Sequence, residues 1–156
     1  MHMKGYPSWF FALLLFIFAA LFVTGGLLTP TSLDLRLEWD IPWRLGADWH
    51  IAVAATHTAV AFVMLMLLGA LLGIHARAGL RRRRNVYSGL GLVAIMAVLM
   101  ATAVGIYYLG DEQMAMMAAL THLAVGGGAP LLFGYHAWTG HLRAVIPSGD
   151  KKNPNQ

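Results

Sequence analysis

Seven histidines and no cysteine set the chemistry open to this chain. Without thiolates, disulfides, iron–sulfur clusters, cysteine zinc sites and covalent attachment of a c-type haem are excluded. Imidazole is then the main metal ligand available, with nine methionines behind it. His122 and His136 stand fourteen residues apart in the apolar stretch 114–143. On a helix they would lie about 21 Å apart along the axis and within about 40° of one face. His57 and His75 are separated by eighteen residues, five whole turns, so they share a face at a spacing of about 27 Å. His50, seven residues before His57, falls within about 20° of that face. An ionisable side chain in an apolar span is costly, which makes each of these a functional candidate.

The spans that position them follow from composition. Hydrophobic residues make up 58% of the chain and charged residues 12%, and the mean hydropathy is +0.63. That balance belongs to an integral membrane protein rather than a soluble domain. Four apolar runs are each long enough to cross a hydrocarbon core of about 30 Å: residues 10–28, 50–75, 86–108 and 114–139. They define an all-α, four-helix transmembrane bundle forming one domain over residues 1–143. A cleaved signal peptide is the rival reading of the first run, weakened by its length and its barely basic lead. Thr29 and Pro30 are expected to end that helix, because proline cannot continue one. The loop 29–49 carries Trp39, Trp43 and Trp49 among charges, which suits the headgroup level or a docking surface. The tail 144–156 is polar and expected to be disordered.

Charge sets orientation. Lys4, Arg77, Arg81 to Arg84, Arg143, Lys151 and Lys152 lie on one side of the membrane, against Arg36 and Arg44 on the other. Both termini are therefore expected to face the cytoplasm and the loop 29–49 the periplasm. The same asymmetry explains the basic pI without a nucleic-acid partner. A weak internal repeat accompanies it. An apolar span with VTGGLL near its outer end and a span carrying HTAV from His57 are echoed by TAVGIYYLG and HLAV from His122. Such a duplication puts the second and fourth spans in equivalent, facing positions.

His57 and His122 each fall eight or nine residues inside the outer end of their span, at matching depth. His75 and His136 form a second, less regular level near the cytoplasmic ends. Axial ligation of haem in a bundle needs facing helices, one imidazole from each, and small residues beside the porphyrin. Gly69, Gly73, Gly126, Gly127 and Gly128 provide such room. The spans hold no acidic partners that would make a proton relay. A copper or other metal permease is the alternative, using Met64, Met66, Met96, Met100, Met114, Met116 and Met117 with the histidines, although these methionines form no clear ladder. A haem-free membrane anchor subunit is a third reading, one that leaves the depth pairing unexplained.

The four-span plan over residues 10–143, with His122 and His136 in the last span followed by Gly140 and His141, resembles the bacterial four-helix di-haem cytochrome b superfamily. That group includes the membrane subunits of formate dehydrogenases and nickel–iron hydrogenases. The resemblance implies two haem b groups in the bacterial inner membrane. It also implies electron transfer between the quinone pool and a periplasmic or membrane redox partner, as a subunit of a respiratory complex rather than as an enzyme by itself. The first span has no histidine where many members of that family carry an inner ligand, so His75 serves the inner haem opposite His136, with His141 the alternate. His50 is the alternate outer ligand. Trp49, His50, Tyr107 and Tyr108 are the quinone-site candidates, with interface anchoring the plainer role for each.

Overall fold

The computed structural model describes residues 6–82 and 85–145. All regular structure among them is helical: α1 Phe10–Leu37, α2 Ala47–Leu71, a π-helical turn Leu72–Ala76, α3 Arg77–Arg82, α4 Val86–Tyr108 and α5 Glu112–Val145. α2 continues through the π turn into α3 as one rod. That rod, α1, α4 and α5 are the four helices long and apolar enough to cross a membrane. Even α4, with 23 residues, rises about 35 Å, more than the hydrocarbon thickness.

Two boundaries differ from the sequence expectation, each for a physical reason. α1 does not stop at Thr29 and Pro30 but carries Pro30 inside the helix and runs on to Leu37. The proline denies an N–H to the Gly26 carbonyl. Hydroxyls donate into the turns beside it, from Thr29 to the Gly25 carbonyl (3.0 Å) and from Ser32 to that of Leu28 (3.1 Å). In an apolar setting such hydroxyls, with tight packing, let a helix tolerate proline, and Pro30 is fully buried. The connection thus shrinks from 29–49 to the nine residues between α1 and α2, and α1 ends where Glu38 turns left-handed (φ 54°). At the other end, α5 extends through Val145, so residues 144 and 145 belong to the helix. The tail beyond Val145, Lys4, Arg83 and Arg84, and the roles assigned to the side chains of His75 and His141, lie outside the described residues.

The helices pair as two antiparallel hairpins, α1 with α2 and α4 with α5, joined mainly along α1 and α5. In the first, Tyr6, Phe10, Leu14 and Ile17 pack on Met64 and Leu67. The Tyr6 hydroxyl closes that end by donating to the Ala70 carbonyl (2.9 Å). In the second, small residues let the backbones approach: a β-carbon on Gly105 would lie 3.0 Å from that of Ala118, and one on Gly91 would lie 3.2 Å from Leu132. Asp111 caps α5 by accepting the Met114 N–H (2.8 Å). Phe18 stacks on Phe133 across the α1–α5 seam, with ring centroids 5.0 Å apart. Because α1 runs antiparallel to both α2 and α5, those two helices run parallel. Residues at equal distance from their starts share a level.

Candidate functional site

Each of three histidines is gripped by the helix beside it in its own hairpin. His57 on α2 meets Thr24 on α1, Nδ1 to Oγ1 at 2.8 Å. His122 on α5 meets Thr102 on α4 at 2.9 Å, and His136 on α5 meets Ser88 on α4 at 2.8 Å. The residue after each hydroxyl is small. A β-carbon on Gly25 would press on Cε1 of His57 at 3.3 Å, and one on Gly89 would come within 3.6 Å of Cε1 of His136; Ala103 follows Thr102. The Nδ1–Cε1 edge of His57, and likewise of His136, is therefore seated against the neighbouring helix.

The direction of two of these bonds follows from counting hydrogens. A threonine hydroxyl has one to give. Thr24 directs its own to the Ala20 carbonyl (2.7 Å), and Thr102 directs its own to that of Val98 (2.8 Å). With the hydroxyl hydrogen so directed, each oxygen accepts from the imidazole, the arrangement that goes with the proton of His57 and of His122 on Nδ1. A neutral imidazole protonated on Nδ1 presents the lone pair of Nε2 to a metal.

The two rings meet across the molecule. His57 and His122 come from different hairpins, on α2 and α5, and their ring centroids are 6.4 Å apart with planes inclined at 71°. Two metal–nitrogen bonds of about 2 Å in line, plus roughly 1.1 Å from each nitrogen to its ring centroid, require about 6.2 Å. The observed centroid separation is of that size. Among the described residues no group of three or more His, Cys, Asp or Glu side chains gathers around a common point.

The other candidates are more scattered. His136 sits one level further along α5, about 21 Å from His122 by helix rise. His75 falls in the π turn, and that turn changes the phase of the backbone, so the five-turn alignment with His57 computed for an unbroken α-helix does not carry through to residue 75. His50 is half-buried in the first turn of α2. Trp49, Tyr107 and Tyr108 are exposed. A recess of about 410 Å³ opens beside the ends of α1 and the start of α5, lined by Arg36, Asp111, Glu112, Gln113 and Met116, none of which is a quinone-site candidate from the sequence. The methionines also divide: Met64 is in the core, while Met66, Met100, Met114 and Met117 face outward.

Sequence reasoning passed over Thr24, Thr102 and Ser88. A signal for them exists in the repeat, which pairs Thr56-His57-Thr58-Ala59-Val60 with Thr121-His122-Leu123-Ala124-Val125 and sets a hydroxyl residue followed by a small one on the preceding span. Compared with known protein families, curated proteins and solved structures, the chain matches none.

Proposed function

We propose that this protein is a membrane-embedded b-type cytochrome, a bundle in which His57 and His122 hold one haem between the two hairpins. The single observation that supports it is the pair of imidazoles at 6.4 Å, each tied through Nδ1 to a threonine of its own hairpin. His136, fixed by Ser88, is one ligand of a second haem near the other end, with His75 as its partner and His141 as the alternate. Haem supplies reversible one-electron chemistry. The chain's own residues supply the ligands, hold their orientation and exclude water with apolar helices.

The protein then carries electrons between a quinone pool and a partner redox protein, as the membrane subunit of a bacterial respiratory complex. Its basic loop and both termini face the cytoplasm, in keeping with the charge asymmetry. The reading is tested on purified full-length protein. Reduced-minus-oxidised visible spectra should show the sharp bands of six-coordinate haem b, with haem extractable by acidified solvent because no cysteine anchors it. A folded, colourless preparation that takes up no added haem would reject it. The His122→Ala variant should lose about one haem per chain, and unchanged haem content would reject that ligand.

A further inference from the structure

The structure assigns to Thr24 and Thr102 a positioning role: they lock His57 and His122 in the Nδ1–H tautomer and set how strongly each imidazole donates to iron. The inference rests on the haem reading of the site, and it concerns residues that touch the ligands rather than the iron. Three features carry it. The hydroxyls lie within hydrogen-bond distance of Nδ1 in both hairpins, at 2.8 and 2.9 Å. Each hydroxyl also lies within hydrogen-bond distance of a backbone carbonyl one turn earlier, at 2.7 and 2.8 Å, and a hydroxyl that donates there meets Nδ1 as an acceptor. The bond also crosses between helices, from α1 to α2 and from α4 to α5, so ring orientation is fixed by hairpin packing and not by the histidine's own helix.

The chemistry of the acceptor decides its effect on the metal. A partner that accepts the Nδ1 proton raises the basicity of Nε2 and so favours the more highly charged, oxidised iron; a carboxylate does this strongly and a hydroxyl weakly. The threonines orient the ring while adding no charge to an apolar bundle, where a buried carboxylate would be expensive. They hold the potential lower than an unbonded imidazole would and higher than a carboxylate-bonded one would. Ser88 and His136 repeat the contact at the second level.

The test uses Thr24→Val and Thr102→Val, which keep shape but lose the acceptor, beside Thr24→Ser and Thr102→Ser, which keep it. In the full-length, haem-loaded protein the valine variants should retain haem and shift one haem's midpoint potential to more positive values, and the serine variants should return it towards the starting value. Valine variants with full haem content and an unshifted potential would overturn the inference, as would serine variants that behave like valine. If the valine variants do not fold, the unsubstituted protein still decides. In its haem-free form the ¹⁵N-histidine NMR spectrum should place the proton of His57 and His122 on Nδ1, with the signals assigned by their loss in His57→Ala and His122→Ala. Protons on Nε2 would refute the role. A protein that binds no haem rejects the proposed function, whereas protons on Nε2 reject only the positioning role of Thr24 and Thr102.

Discussion

An imidazole in an apolar bundle must satisfy two nitrogens with different needs, one a donor and one an acceptor. At His57 and His122 a threonine of the adjacent helix meets Nδ1, and the two ring centroids lie 6.4 Å apart across the hairpins. On the proposed reading, in which the two rings hold one haem between them, their loss is not additive. His57→Ala, His122→Ala and the double variant should each lack the same haem, about one per chain, as measured by extraction and alkaline pyridine spectroscopy. A double variant that loses twice as much as either single one would show that they serve different groups. The depth pairing of these histidines was legible in the sequence because helix rise converts residue number into level. The threonines were not. A helical threonine ordinarily bonds back to its own preceding turn, as Thr24 and Thr102 both do, and its second bond exists only once the neighbouring helix has docked.

At the scale of the helices, the four apolar runs announced the four long helices, while their ends and their phase depended on contacts that local rules do not contain. Pro30 reads as a stop by local geometry, yet α1 passes through it because hydroxyls and burial support the turn. The π turn at Leu72–Ala76 is likewise invisible to periodicity, since LGIHA is as apolar as the helix before it. Packing between α4 and α5 depends on small residues at defined points. Gly105→Val would drive a side chain into Ala118, against which even a β-carbon stands at 3.0 Å. It should cost about 1–3 kcal/mol. By contrast, Gly127→Ala meets no atom within 4 Å and should change stability by less than about 1 kcal/mol, as a glycine-to-alanine exchange in a helix does. Thermal unfolding of both variants in the same detergent checks the contrast, and equal melting temperatures would contradict this account of the α4–α5 contact.

For the whole molecule, most of the helix surface is apolar and outward-facing, with Phe16, Phe62, Met66 and Leu131 among the exposed side chains. Such a surface suits a lipid solvent, in keeping with four helices long and apolar enough to cross a membrane. The charge asymmetry adds a prediction of orientation. The chain is naturally free of cysteine, so single cysteines report topology cleanly. Asp40→Cys should react with an impermeant thiol reagent added outside spheroplasts, and Asn153→Cys should react only after lysis. The reverse pattern would invert the orientation. The internal repeat acquires its sense at this scale. Two hairpins of like direction bring the equivalent His57 and His122 to one level from opposite sides, whereas the other end, where Tyr6 and Phe10 pack in the first hairpin and Ser88 holds His136 in the second, departs from that symmetry.

The most direct test is the haem-to-chain ratio and reduced-minus-oxidised spectrum of the purified full-length protein, measured beside His122→Ala. Two haem b groups per chain with low-spin spectra, falling to about one in the variant, are the predicted result. A correctly folded protein that stays colourless when haem is supplied, or a variant with unchanged haem content, would contradict the assignment of His57 and His122 as facing ligands.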